Sequence, residues 1–254
     1  MTGLLGDLQI GGMHVVALLL IVLALLLLLL LRAQARAGRR PSTRPLPAFD
    51  QLSTELGRSA ESGTPLHFAL GSGGLGGDRT LTSLAALETL EGLADAAVAY
   101  GQSPVVTVGD PTLLPLAEDI LRRTYIRRGT PERYDPTAVR FIAAQPVVYA
   151  IGAADLSRHE RVHSNVILGA FEEEVSLVTH AGEERGFPQS VAADRLRALG
   201  ALYPADAALA VGEEMYAGPA RLTNLPRYVT SLLAQDVLRF LLVAVILLKV
   251  LGLF

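Results

Sequence analysis

The chain contains no cysteine, and this absence excludes several kinds of site. Without thiols there are no disulfides, no thiolate nucleophile and no cysteine-ligated metal. The sequence also has neither a Walker lysine nor a serine nucleophile elbow. The net charge is −3 and no basic stripe runs through the central region, so nucleic acid is not expected as a partner.

Charge is also missing from a long apolar run near the start of the chain. Residues 13–31 are apolar except for His14, and a helix needs about 20 such residues to cross a bilayer. The alternative is a cleaved signal peptide, whose apolar core is usually only ~7–15 residues and follows a basic segment. Arginines instead follow the run, from Arg32 to Arg44. We therefore predict an uncleaved transmembrane helix at 13–31, an extracytoplasmic segment at 1–12 and a cytoplasmic main domain.

A second apolar segment, 240–254, ends the chain. A helix of that length rises only ~23 Å, which is short of the ~30 Å hydrocarbon core. Starting the helix near Val229 makes it long enough but includes Asp236 and Arg239, which are costly in a membrane unless they are paired. We predict a second transmembrane helix at 229–254, with a re-entrant or membrane-lying helix as the alternative. The protein is thus expected to be integral to the plasma membrane, with the lipid bilayer as a partner.

The region between the apolar ends has the composition of an ordinary globular domain. A basic, proline-containing linker is predicted at 32–50, the domain at 51–220 and a second linker at 221–228. This leaves roughly 160–180 residues, enough for one hydrophobic core and too few for two ordinary domains.

Short apolar runs alternate with helical segments through this domain. The predicted strands are 66–70, 105–108, 139–143, 165–168, 189–192 and 207–211. Apolar strands that alternate with helices indicate a mostly parallel sheet buried on both faces. About six strand–helix units favour an α/β, doubly wound (Rossmann-like) sheet over an eight-stranded barrel. Such sheets bind ligands beyond the carboxyl ends of their strands.

A glycine-rich loop follows the first predicted strand. The sequence GSGGLG at 71–76 fits G-x-G-x-x-G between a strand and a helix, the context of a dinucleotide fingerprint. Glycines let the backbone approach a phosphate, and the N-terminus of the following helix favours anions. Asp78 at the helix start and the late position of Asp110 argue against an NAD site. The residues predicted to contact an anionic ligand are Gly71, Ser72, Gly73, Gly74, Gly76, Arg79 and Asp110; the alternative is a merely flexible loop, and the cofactor is left unknown.

Two further motifs point to other chemistry. The sequence HERVH, with His159, Glu160 and His163, matches the zinc-binding H-E-x-x-H pattern, in which the glutamate activates water. Its polar surroundings favour a solvated helix end instead, so no metal site is favoured. Glu213, after the last predicted strand, is a candidate acid/base together with Asp110.

Several segments together resemble one protein family. They are LGSGGLG at 70–76, TVGDPT at 107–112, SNVILG at 164–169, GEEMYA at 212–217 and LLAQD at 232–236. The chain resembles an uncharacterised bacterial membrane-protein family, classed as a domain of unknown function. The resemblance implies a shared architecture and supplies no activity and no site residues.

Three functional hypotheses follow, and they leave open whether the protein is an enzyme. The first is a membrane-tethered sensor or scaffold that binds an anionic small molecule or a protein partner at the carboxyl edge, coupled to a homo-oligomer or a membrane complex. The second is an enzyme acting on a nucleotide or phosphorylated substrate, with Asp110 or Glu213 as the acid/base. The third is a zinc hydrolase that uses the H-E-x-x-H residues.

Overall fold

The computed structural model describes most of the chain, in two separate units. The described residues are 18, 21–30, 33, 45–223 and 226–250. One unit is Arg44–Asn224, and the other combines Met1–Thr43 with Leu225–Phe254.

The unit Arg44–Asn224 is built on a six-stranded sheet in which every neighbouring pair is parallel. The strands are β1 (His67–Gly71), β2 (Val105–Val108), β3 (Val139–Phe141), β4 (Asn165–Ala170), β5 (Gln189–Ala193) and β6 (Ala208–Val211). Their order across the sheet is β3-β2-β1-β4-β5-β6. The predicted α/β class and the parallel sheet of six strands are confirmed. The order reverses between β1 and β4, and such a reversal is where doubly wound sheets bind their ligands.

Helices cover both faces of this sheet. They are α1 (Pro47–Asp50), α2 (Leu52–Ser62), α3 (Thr80–Ala99), α4 (Leu114–Arg127), α5 (Pro146–His159), α6 (Val175–Glu184), α7 (Leu196–Leu202) and α8 (Gly218–Thr223). One face packs its alternate side chains, among them Ala69 and Ile167, into a core with α5, α6 and α7. The neighbouring side chains Phe68 and Val166 point to the other face, where α3 contacts β1 and β4 and packs against α4.

The sequence pattern explains why these elements form. Strands β1 and β4 are buried at every position, as expected for central strands of a parallel sheet covered on both faces. In α3, Leu87, Leu90 and Leu93 recur at helical spacing and are all buried. Apolar burial therefore fixes both the strands and the long helix.

The domain begins earlier than predicted. Residues 47–50, assigned to the first linker, form α1, because Leu46, Ala48 and Phe49 are buried and Pro47 suits a first helical turn. The second predicted linker is also partly helical, since α8 continues to Thr223. Both segments contain only short apolar stretches, so the sequence showed no helical pattern there.

The second unit is helical where it is described. Residues 21–30 are helical, and α9 (Pro226–Val250) covers most of the predicted C-terminal segment. Among the described residues, no helix combines the length and apolar character that crossing a membrane requires. The predicted flanking transmembrane helices are thus not supported by the described part of the chain, while residues 1–17 and 251–254 lie outside it.

We predict that Gly169→Ala strongly destabilises the protein. A Cβ at Gly169 would overlap the backbone carbonyl of Leu70 in the adjacent strand, so β1 and β4 would have to separate. The expected loss in the free energy of unfolding is about 3 kcal/mol or more. Urea denaturation of the full-length chain measures it.

Gly200→Ala is the matched control for this substitution. Gly200 lies in α7 with nothing within 4 Å of a Cβ, so alanine there should stabilise the helix by about 0.5–1 kcal/mol. Equal effects of the two substitutions would contradict the close approach of β1 and β4.

Candidate functional site

The loop from β1 to α3, residues 71–79, lies at the point where the strand order reverses; we call it the glycine loop. Gly71 has φ +79, and a Cβ there would lie 2.5 Å from the carbonyl oxygen of Ala170. The Ser72 amide donates to that carbonyl at 3.1 Å, and the Gly109 amide donates to the Gly71 carbonyl at 2.9 Å. The start of the loop is thus tied by backbone hydrogen bonds to the ends of β4 and β2.

The glycine loop departs from the dinucleotide fingerprint in its second half. Helix α3 begins only at Thr80, whereas the third glycine of the fingerprint normally lets the helix pack against the strand. Gly76 instead sits in an exposed turn with φ +95 and nothing within 4 Å of a Cβ. Its amide and that of Gly77 donate to Thr80 Oγ1 at 2.9 and 3.1 Å. Gly76 therefore shapes a turn and does not bring the helix onto the sheet.

Asp110 meets the glycine loop from the end of β2. A Cβ on Gly74 would overlap the Asp110 carboxylate, so the carboxylate lies directly against the backbone of Gly74. Asp110 Oδ1 accepts hydrogen bonds from the amide and hydroxyl of Thr112. Thr112 Oγ1 in turn accepts from the Leu75 amide at 3.0 Å. Asp110 thus lies against the glycine loop and is linked to it through Thr112.

The other side of the glycine loop is held by the loops after β4 and β5. Arg79 pairs with Glu172 at 2.8 Å, and both side chains are largely buried. Arg195 pairs with Asp78 at 2.6 Å and lowers the pKa of that carboxyl. Thr82 Oγ1 donates to Asp194 at 2.7 Å. Arg79 therefore already has a carboxylate partner, a feature that the sequence did not reveal.

Acidic side chains outnumber basic ones at this edge. The acids are Asp78, Asp110, Glu172, Glu173, Glu174 and Asp194, and the bases are Arg79 and Arg195, each paired with one of these acids. Unlike charges attract and like charges repel most strongly where water is partly excluded. The local electrostatics therefore oppose a ligand with several phosphates.

Two hydroxyl groups beneath the glycine loop have unused hydrogen-bonding capacity. Ser72 Oγ and Ser83 Oγ are buried without a hydrogen-bond partner among the described residues. Ser83 is 0% exposed, and its Oγ lies 3.2 Å from the position of a Cβ on Gly73. Most buried polar groups are hydrogen-bonded, and these two unpaired hydroxyls lie under one loop. Other buried unpaired atoms, such as Ser103 Oγ and Gln189 Oε1, lie elsewhere in the described part of the chain.

A chain of buried polar side chains runs from the middle of the sheet to the glycine loop. The Tyr149 hydroxyl accepts from the Gly71 amide at 3.2 Å and lies 3.0 Å from Thr107 Oγ1. Thr107 Oγ1 lies 2.9 Å from His67 Nε2, and His67 Nδ1 lies 3.1 Å from Asn165 Oδ1. All the side chains of this polar chain are fully buried. It connects the start of the loop to β1, β2, β4 and α5.

The hydrogen-bond partners define the state of His67. Asn165 Oδ1 can only accept, so His67 Nδ1 carries the proton and Nε2 accepts from the Thr107 hydroxyl. Burial lowers the pKa of His67 to about 4, against a smaller opposing effect of the Asn165 hydrogen bond. Burial also raises the pKa of Tyr149 to about 12. Both groups are therefore neutral at physiological pH.

Glu213 does not reach the glycine loop. It follows β6, which lies three strands from β1, and neighbouring strands are about 4.8 Å apart. The separation between these strands is thus about 14 Å. The structure brings Asp110 and Glu172 to the glycine loop and leaves Glu213 at the edge of the sheet.

The H-E-x-x-H residues do not converge. Helix α5 ends at His159, and Glu160 has extended backbone with ψ 158, so the two histidines cannot share a helix face. Glu160 pairs with Arg140, and His163 Nε2 lies 2.9 Å from Glu55 Oε2. Within the described part of the chain, no three such residues are placed to hold a metal ion. The segment is a helix end, and the geometry needed for the zinc hydrolase hypothesis is missing.

A pocket with a volume of about 520 Å³ lies at the opposite edge of the sheet, where strands β5 and β6 begin. Gln51 there donates to the Gln189 carbonyl, and Glu183 accepts from the Asp206 amide. These polar groups hold the local structure together. The buried Gln189 Oε1 also has no hydrogen-bond partner among the described residues, so unpaired polar atoms occur at both edges. The reversal of strand order between β1 and β4 makes the carboxyl edge the stronger candidate.

None of the side chains of the buried polar chain was singled out as functional from the sequence. Thr107 interrupts an apolar strand and Asn165 begins one, and this polarity was the signal available. In the sheet Thr107 is in register with Ala69, and Asn165 with His67. Tyr149 gave no signal, because only the fold places its hydroxyl beside Gly71.

We predict that His67 makes stability depend on pH. Its pKa is about 4 when folded, below its ordinary 6.5, so the unfolded chain takes up a proton that the folded chain excludes. The free energy of unfolding should therefore fall as the pH drops below 6.5, by about 2 kcal/mol between pH 7.5 and 5. His67→Asn should lack this slope when denaturation is followed across that range.

His180→Gln is the control for the histidine experiment. His180 has a largely exposed side chain, and its replacement should leave the slope as in the wild type. A slope that persists in His67→Asn would show that another group is responsible.

We also predict that Tyr149→Phe loosens the start of the glycine loop. It leaves the Gly71 amide without its partner, and an unsatisfied buried donor costs about 1–3 kcal/mol. The variant should lose stability by that amount and exchange the Gly71 amide hydrogen faster, as measured by NMR. Tyr203→Phe, at a position 89% exposed, should change neither quantity; unchanged exchange at Gly71 in Tyr149→Phe would refute the hydrogen bond's role.

The comparisons with known proteins place the chain in a family and name no activity. No curated protein and no solved structure matches the chain. A family model, Domain of unknown function (DUF6754), matches residues 9–253. The expected resemblance to a family of unknown function is therefore confirmed, and, because the match covers nearly the whole sequence, the chain belongs to the DUF6754 family.

Proposed function

We propose that the protein is a membrane-tethered α/β module that binds a small ligand at the glycine loop and acts as a sensor or scaffold. The observation that carries this proposal is the pair of buried, unpaired hydroxyls, Ser72 Oγ and Ser83 Oγ, under a backbone turn at the reversal of strand order. Ligand sites in doubly wound sheets form at such a reversal. The fold alone would not support a function, and the hydroxyls add site-specific evidence.

The two ends of the α/β unit support a tether. Arg221 in the last helix of the unit lies 3.5 Å from Asp50 in the first, and a Cβ on Gly218 would be 3.0 Å from the Phe49 ring. The chain thus enters and leaves this unit at neighbouring points. Neighbouring ends allow both flanking segments to tether the module, and the arginines at 32–44 favour a cytoplasmic location.

Exposed apolar side chains in the other unit also support a membrane tether. Within 21–30, Ile21 is 65% exposed, and in α9, Phe240 is 73% exposed. Their helices carry many similar exposed residues, and extended apolar surfaces of this kind mark contacts with lipid or with a partner protein. A bilayer, another copy of the chain or a membrane protein partner would cover them.

Because Arg79 is already paired with Glu172, an anionic ligand could bind Arg79 only by replacing that carboxylate. A phosphate at the start of α3 would have to replace Glu172, which now lies 2.8 Å from Arg79. The remaining acids of the carboxyl edge would oppose it. A ligand that contacts the loop through a single anionic group or through hydroxyls fits better than a polyphosphate.

Asp110 and Glu213, each a candidate acid/base, lie too far apart to act together on one substrate. Asp110 follows β2 and Glu213 follows β6, which lie four strands apart, a separation of about 19 Å. Acid/base residues need to lie within hydrogen-bond reach of one substrate. These two carboxylates therefore do not form one catalytic pair.

We predict that Gly74→Ala abolishes ligand binding. A Cβ at Gly74 would displace the Asp110 carboxylate, and the loop is exposed enough to shift without unfolding the sheet. The full-length chain is screened by thermal shift against nucleosides, nucleotides, dinucleotides, sugar phosphates and divalent metals. A ligand at 100 times its Kd adds about 2.7 kcal/mol of stability, a shift of several degrees in Tm.

Gly77→Ala provides the matched control within the same loop. Nothing lies within 4 Å of a Cβ at Gly77, and its φ is not positive, so this variant should keep the ligand-induced shift. If no compound stabilises the folded wild type, or if Gly74→Ala responds as the wild type does, the glycine loop is not the binding site.

A further inference from the structure

The structure places Asp110 where doubly wound sheets of this strand order bind a ribose. In such sheets an acid that follows the second strand accepts a hydrogen bond from a ribose hydroxyl. More residues separate the glycine-rich motif from Asp110 than the dinucleotide fingerprint has before its acid. The structure shows the cause: α3, which separates β1 from β2, spans Thr80–Ala99 and starts late. In space, Asp110 still follows β2 directly and touches Gly74.

One oxygen of the Asp110 carboxylate is available to a ligand. Within the described part of the chain, the hydrogen bonds to this carboxylate reach Oδ1, both from Thr112. Those bonds fix the orientation of the carboxylate and leave Oδ2 beside Gly74. An ionised carboxylate only accepts hydrogen bonds, so Oδ2 selects a donor such as a hydroxyl.

The buried hydroxyls add independent support for a neutral, hydroxyl-bearing ligand. Ser83 Oγ is fully buried, lies against Gly73 and has no partner among the described residues. Hydroxyls both donate and accept, so they pair with neutral polar groups without adding charge. The excess of acids at the same edge disfavours phosphates. A nucleoside offers a ribose diol and a neutral base, which meet these conditions.

We propose that the ligand of the glycine loop is a ribonucleoside, and that Asp110 Oδ2 accepts a hydrogen bond from its ribose. This inference rests on the proposed function, since it names the class of ligand for the same site. Asp110 then determines specificity for ribose over deoxyribose.

The experiment compares ribonucleosides with their sugar-deoxy counterparts. Adenosine, guanosine, cytidine and uridine, and the 2′,3′-dideoxy form of each, are titrated into the full-length chain by calorimetry. At least one ribonucleoside should bind, and its dideoxy form should bind at least about tenfold more weakly, as expected for loss of a hydrogen bond to a charged group. Equal affinity for the two forms in the wild type would overturn the inference without any variant.

Asp110→Asn identifies the residue responsible. Asparagine keeps an oxygen for the Thr112 bonds, so the turn is retained, while the acceptor beside Gly74 becomes a donor. The variant should bind the ribonucleoside at least about tenfold more weakly and the dideoxy form as the wild type does. Glu173→Gln, which removes an equal charge from an exposed position at the same edge, should leave both affinities unchanged.

The remaining outcomes separate this inference from the proposed function. If another compound class binds in a manner lost in Gly74→Ala but unaffected in Asp110→Asn, the site stands and the nucleoside inference fails. If no nucleoside and no other compound binds, both fail. If Glu173→Gln weakens binding as much as Asp110→Asn, the effect is general electrostatics and Asp110 has no special role.

Discussion

The ends of strands β1, β2 and β4 approach one another so closely that no side chain fits between them. Gly71 meets the Ala170 carbonyl, Gly109 meets the Gly71 carbonyl, and Gly169 meets Leu70. Only glycine tolerates such contacts, since each Cβ would lie within or near overlap distance of backbone atoms. This packing brings the loops after three strands to one point. The glycine loop, Asp110 and Glu172 are neighbours because of it.

The buried polar chain explains how this crowded region keeps one arrangement. Apolar packing alone leaves neighbouring strands free to adopt several similar contacts, whereas hydrogen bonds between buried groups demand particular partners. His67, Thr107 and Tyr149 join β1, β2 and α5, so a shift of β1 against β2 or α5 would leave a polar group unpaired. The glycine loop thus lies over buried polar side chains that have specific hydrogen-bond partners, whereas Ser72 Oγ and Ser83 Oγ have none among the described residues.

The sequence predicted those features that depend on local pattern. Burial on both faces gives β1 and β4 continuous apolar runs, and the leucines of α3 recur at helical spacing, so all six strands and the long helices could be located. The order of the strands made the glycine loop and Asp110 neighbours, as expected for the carboxyl edge of a parallel sheet.

The features that the sequence could not predict depend on tertiary contacts. The pairing of Arg79 with Glu172 joins loops far apart in the chain, and no local pattern reports it. Spacing along the chain also could not place Asp110 in the fold, because it depends on the length of α3 and says nothing about where β2 ends.

Helix α3 links the candidate site to the exit of the α/β unit. Its first residue, Thr80, ends the turn of the glycine loop, and its middle packs against α8, where a Cβ at Gly92 would lie 2.9 Å from the side chains of Leu222 and Thr223. A contact this close transmits displacement, since densely packed surfaces resist compression. A displacement of α3 would therefore also move α8, the last helix of the α/β unit.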